Sequence, residues 1–339
     1  MNFCSDNTAG AAPEILEALG PALSGAAMPY GNDAATRQLE SALAEVFETD
    51  RLAVFPVATG SAANSLALAT LCPPWGSILC HRGSHINVDE CGAPEMFTGG
   101  AKLIALDGEH GRLDAGTVAA AIDAAGSGNV HRVQPSVVSL TQATEAGTVY
   151  RPEAVAAIAE IARSRGLRVH MDGARFANAV VSTGSSPADL TWRAGVDVLS
   201  LGATKNGCIA AEVVVFFDPD LAADTRFRRK RAGHLFSKMR FLSAQLNTWL
   251  ADGLWLRLAR QSNGAARRLA DGLEALPGVR LQHPVEANEI FAVLPDPMAD
   301  RVESAGILFY RWGDGSVRLV TSFAITDTDV DRFLAVAAG

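Results

Sequence analysis

From residue 52 to residue 218 the chain repeats one pattern. A short, nearly continuous apolar run is followed, in most cases, by an alanine-rich stretch with helical spacing. The strand-like runs are LAVFPV (52–57), SILCH (77–81), AKLIALD (101–107), PSVVSLTQ (135–142), LRVHMD (167–172), VDVLSLG (196–202) and EVVVFFD (212–218). The helical stretches include SAANSLALATL (61–71), LDAGTVAAAIDAA (113–125) with Asp114 near its start, and RPEAVAAIAEIARSRG (151–166), ended by Gly166. Strands that are apolar on both faces must be covered on both faces, and parallel strands need crossovers that helices supply. The expectation is an α/β chain built on a mainly parallel sheet flanked by helices.

The pattern changes after about Pro219. A long helical region carries Arg228, Arg229, Lys230 and Arg231 and runs on through WLADGLWLRLARQSNGAARRLADGLEALPG. Short strands follow at 289–295, 307–312 and 316–322, then a last helix from Asp327 to about Ala337. We expect a large domain over 1–245 and, over 246–339, a connecting helix with a small α+β domain.

With 339 residues the chain can bury a sizeable core. Its formal charge of −8 gives no support to nucleic-acid or anionic-membrane binding. The N-terminus has neither a basic segment nor an apolar one of the kind that directs export, and no apolar run is long enough to span a bilayer. A cytoplasmic protein is expected. Cys4, Cys72, Cys80, Cys91 and Cys208 are scattered, without a CxxC pair, and read as free thiols.

Four features carry chemistry. In ATGSAANSLAL a strand ends near Val57, Thr59-Gly60-Ser61 turn, and a helix begins; free N–H groups there suit an anion. In VHMDGARFANA an apolar strand ends in Asp172, placed either to hold a ring nitrogen or to cap the next helix. Lys205, in LGATKNG after another apolar strand, is either a loop lysine or an imine-forming amine held on rigid backbone. HRGSHINVDECGAPE (81–95) offers His85 as a group to stack on a planar ring or act as a base. His81 and His85 with Asp89 and Glu90 do not have the spacing of a recognised metal motif, and no metal is expected. A dehydrogenase reading lacks a dinucleotide fingerprint.

A phosphate turn, an aspartate at one strand end and a lysine after a later strand come in the order used by pyridoxal-phosphate enzymes of the aspartate-aminotransferase fold. The sequence resembles the low-specificity L-threonine aldolases of the β-eliminating lyase group. The carrying stretches are SDN (5–7), YGND (30–33), ATGSAANSLAL (58–68), HINVDECGAPE (85–95), TQATEAGTVY (141–150), HMDGARFANA (170–179), TKNG (204–207), SKMRFLSA (237–244), PVEAN (284–288) and SVRL (316–319). They span nearly the whole chain in the family's order.

The resemblance implies fold type I, with a mainly parallel seven-stranded sheet, and pyridoxal 5'-phosphate as cofactor. It implies that Lys205 joins the cofactor, Asp172 holds its ring nitrogen, and Thr59, Gly60, Ser61 and Arg240 hold its phosphate. His85 would stack on the ring and handle the β-hydroxyl proton. Glu145, standing where many relatives have a histidine, would lie near that hydroxyl. Ser5, Arg175 and Arg318 would hold the substrate carboxylate, with Tyr30 and Asp33 helping to line the site near a subunit boundary. The implied reaction cleaves a β-hydroxy-α-amino acid to glycine and an aldehyde in a homotetramer. A lyase expelling a group from Cβ and a non-catalytic cofactor-binding regulator are the alternatives.

Overall fold

The computed structural model describes residues 1–313 and 315–339. A seven-stranded sheet is formed by β1 (Ala53–Val57), β2 (Gly76–His81), β3 (Lys102–Leu106), β4 (Gln134–Thr141), β5 (Arg168–Gly173), β6 (Val198–Gly202) and β7 (Glu212–Phe216). The strand order is β1-β7-β6-β5-β4-β2-β3. β3, β2, β4, β5 and β6 run parallel to one another, whereas β7 is antiparallel to both β6 and β1. β7 needs no crossover helix, because Glu212 pairs with Gly202 at the end of β6. The loop 203–211 between them is therefore short, and it carries Lys205.

β4 to β7 consist largely of buried residues, as expected of strands covered on both faces. The helix Gly60–Leu71 is buried from Ala62 to Ala69 and packs on β6 and β7. Its small residues let it lie close to the sheet, so its N-terminus opens at the strand ends.

The helical region after Pro219 is not continuous. It comprises helices Thr225–Arg231, Arg240–Leu250 and Leu254–Glu274. The last two are separated at Asp252 and Gly253, which adopt left-handed φ values of 51° and 66°. The amphipathic run masks this break, since both helices turn apolar faces inward. Helices Pro13–Leu23, Ala34–Val46 and Asp296–Ser304 had no counterpart in the sequence reading, and Phe176–Thr183 entered it only as the helix that Asp172 might cap.

The last part of the chain forms an antiparallel sheet of β8 (Arg280–Leu281), β9 (Glu289–Val293), β10 (Tyr310–Arg311) and β11 (Ser316–Val320), ordered β10-β11-β9-β8. Two main cores result. One includes Trp249, Trp255, Leu258 and Ala259 with the large sheet; the other gathers Ala265, Leu269 and Leu273 with β9, β11 and the final helix. The long helix Leu254–Glu274 thus serves one core with its first half and the other with its second. Phe3 belongs to the second core and meets Phe333 edge-on, with ring centroids 5.3 Å apart.

Candidate active site

A cavity of about 290 Å³ opens at the carboxyl ends of β4, β5 and β6, where open α/β sheets place their ligands. Thr59, Gly60, Ser61, His85, Glu145, Asp172, Arg175 and Lys205 all line it. A larger groove of about 830 Å³, between Met96, Phe227 and Arg231, holds none of the expected site residues.

Backbone packing explains the convergence. A Cβ on Gly202 would come within 2.7 Å of the Ala174 backbone, and one on Gly173 within 2.9 Å of the Ser200 carbonyl. Glycine at both places lets the turn after Asp172 and the turn bearing Lys205 press together. The Lys205 turn is held firmly. Asn206 donates to the Trp255 carbonyl at 2.8 Å, and its own carbonyl accepts from Trp249 Nε1 at 2.9 Å. Ala203 N–H donates to Glu212 at 3.1 Å, and Ala211 N–H to Thr204 Oγ1 at 3.1 Å. Lys205 itself is half-buried.

At the helix Gly60–Leu71, the Thr59 hydroxyl accepts from the Ala62 N–H at 3.2 Å and its carbonyl accepts from Ala63. The first two N–H groups of the helix have no intrahelical acceptor. One turn on, Asn64 Nδ2 donates to Asp172 Oδ2 at 2.8 Å and to Glu90 Oε1 at 2.9 Å. Asp172 Oδ1 accepts from Ala174 N–H at 3.0 Å, so this side chain braces its own turn while facing the cavity.

Glu145 is fixed by the His85 N–H and the Thr141 hydroxyl, both 2.8 Å from Oε1. Its Oε2 is buried without a partner. Burial, with the nearby Asp172 charge, pushes the Glu145 carboxyl up to about 7, against those hydrogen bonds. Burial likewise pushes Glu212 up to about 7, opposed by Thr204, Lys205 and the Ala203 N–H. Arg175 makes a fork to Asp6, with Nε–Oδ2 2.7 Å and Nη2–Oδ1 3.1 Å, and lies 3.1 Å from Glu289. Burial works against the guanidinium's charge, but Asp6 and Glu289 outweigh it and raise its pKa.

The other expected residues lie outside the cavity lining. Ser5 caps the turn Asp6–Thr8, and its neighbour Asn7 reaches the cavity instead. Arg318, on β11, donates to the Cys4 carbonyl at 3.1 Å and faces the Tyr310 ring; its Nε is buried without a partner among the described residues. Asp33 is a buried helix cap whose Oδ1 accepts from the Thr36 N–H at 2.9 Å. Tyr30 is 45% exposed, with Lys230 over its ring. Arg240 donates to the Gly25 carbonyl at 3.2 Å. Within one chain, Asp33, Tyr30 and Arg240 therefore stand apart from the cluster around Lys205.

Asn64, Glu90, Glu212, Asp6 and Glu289 had no assigned role in the sequence reading. Three of them carried a usable mark. Asn64 sits in an otherwise apolar stretch, and Glu212 and Glu289 each open an apolar strand. A polar group in such a place is buried and needs a partner.

The sequence matches the family model described as "Beta-eliminating lyase" over residues 2–296. The fold is shared with an aspartate aminotransferase from Rhodobacter sphaeroides at 19% identity and a TM-score of 0.72, covering 100% of this chain and 90% of that one. The chain belongs to the β-eliminating lyase family and has the fold type I architecture of pyridoxal-phosphate enzymes. The low specificity L-threonine aldolase of Pseudomonas aeruginosa is 45% identical over 99% of this chain and 96% of its own. That of a Pseudomonas strain is 42% identical over 100% and 96%. The structure of a threonine aldolase from Leishmania major gives a TM-score of 0.93 at 27% identity, covering 99% and 98%. The chain belongs to the low-specificity L-threonine aldolases of this family.

Proposed function

We infer that this protein cleaves L-threonine, L-allo-threonine and related L-β-hydroxy-α-amino acids to glycine and an aldehyde. The observation that carries the reading is the near full-length match to the Pseudomonas aeruginosa enzyme. The cavity fits the cofactor such an enzyme needs. It combines a lysine on a braced turn, a carboxylate at a strand end and an open helix N-terminus. Lys205 would attach pyridoxal 5'-phosphate, Asp172 would hold the ring nitrogen, and Thr59, Gly60 and Ser61 would receive the phosphate. When bound, the cofactor supplies the electron sink that stabilises negative charge at Cα.

The chain's own residues supply position and proton transfer. Arg175, backed by Asp6 and Glu289, presents a guanidinium at the cavity for the substrate carboxylate; Ser5, next to Asp6, and Arg318, bonded to the Cys4 carbonyl, are assigned to the same carboxylate. Fixing the carboxylate selects which bond at Cα breaks. His85 and Glu145 are the candidates for taking the β-hydroxyl proton. Glu145 pushed up to about 7 has an affinity suited to exchanging a proton near neutral pH.

No helix among the described residues is long and apolar enough to cross a membrane. We place the enzyme in the cytoplasm as a homotetramer whose sites lie at the dimer interface. Exposed Met28, Tyr30 and Phe236, on the side of Arg240, are what a second copy would cover. Turnover of L-threonine, L-allo-threonine and L-phenylserine, with D-enantiomers as controls, tests the reading. Formation of a keto acid and ammonia in place of glycine and aldehyde would overturn it. Borohydride treatment should fix the cofactor on Lys205, and a label retained in Lys205→Ala would refute that assignment.

A further inference from the structure

Glu90 is a buried carboxylate with no lysine or arginine paired to it among the described residues. Its side chain is 0% exposed, and its one ion-pair partner among the described residues is His85, at 2.8 Å from Nδ1 to Oε1. Oε1 also accepts from Asn64, and Oε2 has no partner among the described residues. A buried carboxylate is expensive unless hydrogen bonds hold it. Here both donors converge on one oxygen. A carboxylate oxygen accepts, so His85 Nδ1 carries the proton, and in the neutral ring Nε2 is left with the lone pair.

Asn64 extends the arrangement. Its amide nitrogen bridges Glu90 Oε1 and Asp172 Oδ2, 2.9 and 2.8 Å away. Two acceptors flank it, so the amide must present nitrogen there, and its Oδ1 is left unpartnered. One side chain on the helix Gly60–Leu71 thus sets the distance between the strand-end aspartate and the partner of His85.

We propose that Glu90 is a positioning residue: it fixes the ring of His85 and its Nδ1–H tautomer, leaving Nε2 as the proton acceptor, and Asn64 registers this pair against Asp172. The proposal rests on the aldolase reading for its catalytic consequence, but not for the geometry. Four charged groups face His85. Glu90 follows it in the chain, Asp172 lies on β5, Lys205 on the turn after β6, and Glu145 accepts its backbone N–H. The Glu90 hydrogen bond raises the imidazole pKa, burial lowers it, and Asp172 and Lys205 pull in opposite directions.

The test compares Glu90→Leu, which removes the acceptor, with Glu90→Gln, which keeps an acceptor and removes the charge. The readouts are nitrogen NMR of histidine-labelled full-length protein, with and without cofactor, and the pH profile of L-threonine cleavage. In Glu90→Leu the Nδ1–H tautomer should give way to the Nε2–H form. kcat should fall about 100-fold with KM little changed, the loss expected when a general base is misplaced. In Glu90→Gln the tautomer should persist and the acid limb of kcat/KM should move to lower pH. A wild-type His85 tautomer and acid limb in Glu90→Leu would overturn the proposal. So would equal losses in both variants with unmoved His85 resonances. Wild-type protein that does not cleave L-threonine would sink the functional reading alone, because the NMR comparison decides the placement independently.

Discussion

Asp6, buried, and Glu145, half-buried, are carboxylates beside one cavity, and their proton affinities diverge. Burial pushes Asp6 up, yet the Arg175 fork and Lys205 outweigh it and hold its carboxyl below the ordinary range. Glu145 is half-buried at the cavity wall, its donors are a backbone N–H and a hydroxyl, and it is pushed up to about 7. Burial alone therefore does not say whether an acid stays charged; a matched cation does. One wall of the cavity is made of fixed charge for binding. The other keeps an acid able to gain or lose a proton.

Removing the fixed charge should have the largest effect. Asp6→Asn leaves Arg175 with half its counter-charge and should lower stability by about 3–5 kcal/mol, read from urea unfolding. An unchanged midpoint would erase the distinction between the two walls. Glu145→Gln should act in the opposite direction. A carboxyl raised from 4.5 to about 7 costs nothing below pH 4.5, where both states are protonated, and costs progressively more as pH rises through 7. The variant should gain up to about 3 kcal/mol at pH 8 and nothing at pH 4, while losing activity. Equal gains at both pH values would show that the effect is packing.

Thr59→Ala removes a helix cap at the phosphate turn. It should cost about 1 kcal/mol and loosen cofactor retention, measured by dialysis and absorbance. The smallest effect belongs to the fully exposed pair Arg82–Asp107, for which Asp107→Asn should leave the unfolding midpoint unmoved. A shift there would mean that surface pairs matter here as much as the clamp on Arg175.

The large sheet was legible because a continuous apolar run leaves a strand few alternatives. Lys205, Asp172 and Thr59 were legible because each follows such a run, where a parallel sheet gathers its ligands. Asp6 was not, and Asn64 showed only that it needed a partner, since the groups they meet lie far along the chain. Asn64 meets Asp172, 108 positions away, and Arg175 meets Asp6 across 169. Asp33 shows the converse. It sits in a stretch that resembles the family's, while in the fold its carboxylate is spent on the Thr36 N–H and hydroxyl. The break at Asp252 escaped because both flanking helices keep the same apolar rhythm.

The first residues of the chain are stitched to some of the last. Phe3 N–H donates to the Leu308 carbonyl, and the Phe3 carbonyl accepts from the Val320 N–H, both at 2.7 Å. Asp6 and Asn7 then run directly on to Arg175 and the cavity wall. During synthesis, Asp6 can meet Arg175 early, but the Phe3 backbone must wait for Leu308 and Val320 before it has these partners. The large sheet can assemble in the meantime, but the strap that anchors Asp6 beside Arg175 is secured late. Nascent chains should therefore stay inactive until Val320 has emerged.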